Sequence, residues 1–234
     1  MENHKVVSHQ EWLDARRQLL AEEKELTRLR DGLSQRRRDL PWEPVDQDYV
    51  FEGPGGRETL AQLFDGKRQL AVYHFMLAPD WEEGCKSCSF WADNFNGIDA
   101  HLRQRDVSFV AISRAPLPRI EAFKKRMGWS FKWVSSFGSD FNYDHHVSFR
   151  PDKSATGADV YNYAPRKMAM EELPGASVFY KGGDGTVFHT YSCYARGLDM
   201  LNSAYHWLDL VPKGRDESGP HKMSWVRLHD EYER

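Results

Sequence analysis

The chain has 234 residues, 40% of them hydrophobic, 13% aromatic and 29% charged, with a formal net charge of -3. The aromatic content excludes a disordered chain, the charge balance gives no bulk signal for nucleic acid, and a chain of this size needs neither disulfides nor a metal to hold a core. The three cysteines exclude a disulfide framework, and residues 1–8 lack the apolar core of a secretion signal. With no apolar run long enough to cross a bilayer, a cytoplasmic protein without a membrane partner is expected.

Residues 8–40 read as one long helix. Ser8 and Glu11 have the spacing of a capping box, and Leu40-Pro41 ends the segment. Trp12, Leu19, Leu26 and Leu33 recur every seven residues beside Leu29. This narrow stripe suits either a homodimer contact or packing on the chain's own domain. Residues 1–41 are therefore expected to form a helical extension, 42–212 a domain, and 213–234 a polar tail that is loose or packed only locally.

Within the domain, Tyr49-Val50-Phe51 predicts a short strand, and Gly53-Pro54-Gly55-Gly56 a hairpin turn. A short helix or turn follows over 59–64. The nearly unbroken apolar run 70–77 predicts a central strand covered on both faces. After the cysteine segment, Cys88, Trp91, Phe95, Ile98 and Leu102 share one helical stripe. A second apolar strand covers 107–113. Pro118 opens a helix that Gly128 closes, and 131–134 predicts another strand. Residues 137–173 show no period. The stretches 177–180 and 187–191 read as a hairpin, and Leu198, Leu201, Tyr205 and Leu208 mark a last helix. Strands separated by helices, with a final antiparallel pair, predict an α/β fold: a central mixed sheet with helices on both faces.

Cys85-Lys86-Ser87-Cys88 is a C-x-x-C at a strand-to-helix junction. There the first cysteine lies near unpaired backbone N–H groups and the positive end of a helix, which stabilise a thiolate. Cys88, one turn on and at the start of the buried stripe, can reach Cys85 and resolve a mixed disulfide. Lys86 adds positive charge. Half of a zinc site is one alternative, but neither a second C-x-x-C nor an H-x-x-x-H follows, so no metal or other cofactor is expected. An inert pair on a helix cap is another alternative. Cys193 reads as a buried small hydrophobe or a distant resolving thiol. Leu173-Pro174 could be a cis bond beside the cysteines or an ordinary trans bond at a strand start. His74 could take a proton from Cys88 or be simply packed. Arg114, at the C-terminal end of the second apolar strand, could assist the thiol or bind an anion; surface placement is the alternative. Glu82 and Glu83 could raise the Cys85 pKa, and Lys86 and Arg114 oppose them, so the sequence leaves the balance open.

This succession of elements resembles the thioredoxin fold. Pro174 with Phe179, Lys181 and Gly182 is similar to the strand of thioredoxins that carries their cis-proline, and the long loop before Cys85 resembles the peroxiredoxin branch. The strings Asp48-Tyr49-Val50-Phe51, Tyr73-His74-Phe75-Met76, Asp80-Trp81-Glu82-Glu83-Gly84-Cys85, Ser89-Phe90-Trp91-Ala92-Asp93 and Tyr194-Ala195-Arg196-Gly197-Leu198-Asp199 resemble a bacterial family of unknown function. Its members are described as thioredoxin-like or as dithiol-disulfide oxidoreductases. The resemblance implies a thioredoxin-like α/β fold and a thiol-disulfide oxidoreductase. Cys85 would be the attacking cysteine, Cys88 the resolving one and Pro174 the cis-proline, with Lys86, Trp81, His74 and Arg114 in support. The partner would be a protein or small-molecule disulfide or dithiol. A thiol peroxidase and a non-catalytic binding protein are the alternatives. Glu82 stands where the peroxidatic pattern has Thr, and Lys-Ser where thioredoxin has Gly-Pro.

Overall fold

The computed structural model describes residues 4–150, 159–219 and 222–233. The chain divides into two units, Met1–Pro41 and Trp42–Arg234. The first holds helix α1 (His9–Arg38). Ser8 caps it as expected: its Oγ accepts the Glu11 N–H at 3.3 Å, and the Glu11 carboxylate accepts the Ser8 N–H at 3.0 Å. No residue of α1 is buried, and Trp12, Leu19, Leu26 and Leu33 are 41–57% exposed. With one such residue in seven and Leu29 beside them, the stripe is narrow and the rest of the helix is mostly charged.

The second unit carries an eight-stranded sheet in the order β1-β10-β9-β4-β5-β6-β2-β3. Its strands are β1 (Glu43–Pro44), β2 (Val50–Gly53), β3 (Gly56–Thr59), β4 (Gln69–His74), β5 (Val107–Ser113), β6 (Lys132–Ser135), β9 (Gly175–Lys181) and β10 (Val187–Tyr194). β7 (Val160–Tyr161) and β8 (Ala164–Pro165) form a separate small hairpin. β4, β5 and β6 are parallel, and β9 is antiparallel to both β4 and β10. The core order β10-β9-β4-β5, with β9 reversed, is that of the thioredoxin-like fold. Because β4 is central, its alternation fills two cores. Leu70 and Val72 join Leu60 and Leu63 of α2 (Leu60–Leu63) and Phe141 of α6 (Phe141–Asp144) on one face. Tyr73 joins Cys88, Trp91, Ile120 and Phe123 on the other.

Between β4 and β5 the expected single helix is two short ones, α3 (Lys86–Ala92) and α4 (Ile98–Arg103). Gly97, at φ +85°, sits between them in the left-handed region that stops a helix. α5 (Leu117–Arg126) matches the expected Pro118 helix. The last expected helix is a 3-10 segment (Ala195–Leu201) followed by α7 (Ser203–Leu208). The tail is not loose. Val226 and Leu228 are buried, and Leu228 belongs to the same core as Cys88. Two apolar residues in a polar stretch are too few to form a period, yet enough to anchor it.

Candidate functional site

The cysteine loop leaves β4 and is tied back at each end. The Cys85 N–H donates to the Met76 carbonyl at 3.1 Å. The Arg119 guanidinium donates to the carbonyls of Pro79 and Trp81 at 2.7 and 2.8 Å. Trp81 thus supports the loop through its backbone, while its side chain packs on the core. Gly84 is required by space. A Cβ there would lie 2.5 Å from the Phe123 ring and 2.7 Å from that of Phe75, and both rings are buried. Gly84→Ala is therefore expected to cost about 1–3 kcal/mol in thermal or urea unfolding and to displace Cys85. An unchanged melting temperature would show that the rings give way.

Cys85 is the N-cap residue of α3 and is partly exposed; Cys88, one turn on, is buried. No disulfide joins them. The Cys88 S–H donates to Cys85, and the backbone N–H groups of Cys88 and Ser87 with the Ser87 side chain add to it. Against the opposing effect of burial, these donors lower the Cys85 pKa to about 6. The same hydrogen bond and the charge on Cys85 reinforce burial in raising the Cys88 pKa well above its ordinary value. Two groups partly relieve Cys88: the Met76 N–H, 3.5 Å from its Sγ, and the Tyr73 side chain. The net shift is opposite in direction to the one Glu82 and Glu83 would produce. Glu83 is paired with Arg126, both glutamates are exposed, and the Cys85 pKa falls.

The other sequence candidates separate. The Leu173-Pro174 bond is trans, since the described residues contain no cis peptide; Pro174 nevertheless lines the same cavity as Cys85 and Cys88. Lys86 is exposed at the start of α3, outside that cavity. His74 cannot serve Cys88. It alternates with Tyr73 on β4 and bonds Ser177 Oγ at 2.8 Å, among Phe141 and His145. Arg114 does not assist the thiol; it binds the buried Glu172 and stacks on Tyr143. Cys193 is buried in the core that contains Cys88 and does not line the cavity.

The cavity has a volume of about 690 Å³. Cys85 and Cys88 line it, together with a mainly apolar surface that includes Met76, Trp91, Met170, Leu173 and Met223. Sequence reasoning missed Tyr73, Arg119 and the tail residues of the far wall. Tyr73 sat inside an apolar run, where alternation separates it from His74 without saying which of the two faces the cysteines. Nothing in the local sequence of the tail points back to this cavity. Among the described residues, no group of three or more His, Cys, Asp or Glu is arranged to hold a metal ion, and no helix is long and apolar enough to cross a membrane.

The chain belongs to a bacterial family, described as "Bacterial protein of unknown function (DUF899)", whose model matches residues 1–232. No curated protein matches it. Solved structures that are similar include peroxiredoxin Q of Xanthomonas campestris, at 14% identity and a TM-score of 0.43, covering 72% of this chain and 98% of that one. Peroxidoxin BcpB of Mycobacterium tuberculosis is similar at 13% identity and a TM-score of 0.43, covering 70% and 94%. A Chlorobium tepidum chain titled as a thiol:disulfide interchange protein DsbE is similar at 11% identity and a TM-score of 0.40, covering 70% and 97%. At these scores the fold rests on the strand order described above, and the chemistry on the site itself.

Proposed function

We propose that this chain is a thiol-disulfide oxidoreductase in which Cys85 attacks and Cys88 resolves. The observation that carries this reading is the pairing of a partly exposed, acid-shifted Cys85 with a buried Cys88 that donates its S–H to it. Only a thiolate attacks a disulfide, and Cys85 is largely ionised at neutral pH. Once Cys85 is bound in a mixed disulfide, its negative charge is gone and it no longer draws the Cys88 proton as strongly. Both effects had raised the Cys88 pKa, so Cys88 becomes more acidic when its attack is needed. The Met76 N–H and Tyr73 then favour its thiolate. The order of the two steps follows from this coupling.

Reaction with iodoacetamide, followed by peptide mass spectrometry, tests the assignment. The Cys85 rate should follow a single ionisation with a midpoint near pH 6. A lower pKa enlarges the thiolate fraction but weakens each thiolate as a nucleophile. Near pH 6 Cys85 should therefore exceed an ordinary thiol about tenfold, and near pH 9 fall behind it by a similar factor. Cys88 and Cys193 should label later. A midpoint near that of a free thiol, or first labelling at Cys193, would refute the assignment.

A further inference from the structure

The tail closes one side of the cysteine cavity, and two charged residues pin it there. The Glu217 Oε1 accepts the Tyr205 hydroxyl at 2.7 Å, the Met223 N–H at 3.2 Å and the Trp225 Nε1–H at 3.2 Å. Arg215 lies 3.9 Å over the Tyr205 ring and donates to Asp209 at 2.7 Å and to Asp199 at 3.0 Å. Arg215, Glu217, Lys222 and Met223 all line the cavity. A surface that docks a folded protein around an extended disulfide-bearing segment would leave this side open. Here Cys85 lines an open-mouthed cleft that the tail bounds on one side, and its volume is in the range of small-molecule sites.

Among the described lining residues the charges balance. Arg196, Arg215 and Lys222 line the cleft with Asp199, Asp209 and Glu217, and Arg215 is already engaged by two of the carboxylates. This balance favours no charged ligand, while Met76, Met170 and Met223 offer adaptable apolar surface. We propose that the oxidised substrate is a small, uncharged disulfide with an apolar body, which enters this cleft and meets Cys85 there. The proposal rests on the thiol-exchange reading above.

For benzyl 2-pyridyl disulfide as the probe, the step balances without another reactant. The Cys85 thiolate attacks the benzyl-bearing sulfur, the probe's S–S bond breaks, and the departing pyridine thiolate takes a proton to become 2-thiopyridone. Cys88 loses its proton to solvent and attacks the Cys85 sulfur, and the benzylthiolate expelled is protonated. The cysteine pair gives up two electrons, and the probe becomes two thiols.

The test compares single-turnover release of 2-thiopyridone by the reduced full-length protein from this probe and from glutathionyl 2-pyridyl disulfide, which has the same leaving group and a charged body. Insulin serves as the protein disulfide. The benzyl probe should react at least about tenfold faster than the glutathionyl one, the scale of discrimination by apolar contacts, and insulin should stay oxidised. The preference should vanish when the protein is unfolded in urea. Met170→Lys replaces apolar surface with a positive charge at a position 48% exposed, where the fold tolerates it; it weakens contact with the benzyl body, attracts the net negative glutathionyl one, and should bring the two rates together without lowering the melting temperature. Equal rates in the wild type, an unchanged preference in Met170→Lys, or ready insulin reduction would each overturn the assignment of substrate. Release from neither probe, while iodoacetamide still labels Cys85 first, would instead remove the thiol-exchange reading and the substrate with it.

Discussion

A Cys88→Ser variant should accumulate a stable mixed disulfide on Cys85, and a Cys85→Ser variant should lose disulfide exchange by about three orders of magnitude or more, because a serine hydroxyl is not ionised at neutral pH. The asymmetry follows from the site. Cys85 opens onto the cavity and carries the lowered pKa, whereas Cys88 is buried with a raised one. Without Cys88 the second step has no nucleophile, since Cys193 does not line the cavity. The Cys88→Ser substitution also removes the S–H that does most to lower the Cys85 pKa. A serine hydroxyl can still donate at that position, so the alkylation midpoint of Cys85 should rise only in part. Intact-mass measurement after reaction with a model disulfide reads both effects. Adduct on Cys88 in the Cys85→Ser variant, at a rate near that of the wild type, would reverse the roles.

Stability should fall steeply as the pH drops below about 6.5, and a buried histidine group is the reason. His74 bonds Ser177, Ser177 bonds Ser192, and Ser192 bonds His189, each at 2.7–2.8 Å. His145 stacks on His74 and stands edge-on to His189, with ring centroids 5.7 and 5.3 Å away. Burial lowers the His74 pKa to about 3, helped by the charge of His189. Burial, then His74 and His189, lower that of His145 well below its ordinary value. Both rings are thus neutral in the folded state and take up a proton on unfolding at any pH below their ordinary value of about 6.5. A folded-state pKa that is depressed gives stability that is complete above the unfolded value and lost as pH falls toward the folded one. The window for His74 is therefore pH 6.5 down to about 3. Each ring contributes a slope of about 1.4 kcal/mol per pH unit, about 2.7 for the two. Buried Glu172, whose pKa is raised mainly by burial against the pull of Arg114, acts in the opposite direction from its ordinary value of 4.5 upward, where its contribution is lost as the pH rises. In urea unfolding the slope should grow from about one proton at pH 6.5 toward two near pH 5, and in His74→Phe it should be about half of that throughout. A flat stability over this interval would mean that the two rings are protonated in the folded state.

The parts of this molecule that were legible in its sequence are those in which one local pattern has one structural outcome. Ser8 with Glu11 produced the cap, the apolar run after residue 69 a central strand, and the C-x-x-C a helix end. The strands fell in the order expected of the fold because parallel neighbours joined by helices leave few arrangements. What stayed illegible depends on contacts between distant segments. His74 and Tyr73 are adjacent, equally plausible partners for a thiol, and only the pairing of β4 within the sheet decides that Tyr73 faces Cys88. The stripe of α1 has a heptad period, but periodicity does not say which surface it meets, the chain's own or that of a second copy. Arg114 stands at the end of β5, where sites often lie, but Glu172, 58 residues on, captures it. The wall built by Glu217 has no local signature, because its partners Tyr205 and Trp225 lie in different elements.

The most direct measurement is the state of the three cysteines in a glutathione redox buffer, read by alkylation and peptide mass spectrometry as the ratio of reduced to oxidised glutathione is varied. Cys85 and Cys88 should interconvert reversibly between two thiols and one shared disulfide, as a single two-electron couple, with Cys193 reduced throughout. The low Cys85 pKa favours the reduced pair, so the couple should be more oxidising than that of thioredoxin, whose potential is about -270 mV. Failure of Cys85 and Cys88 to form a disulfide with each other at any ratio, or a disulfide that draws in Cys193 instead, would contradict the assignment of this site.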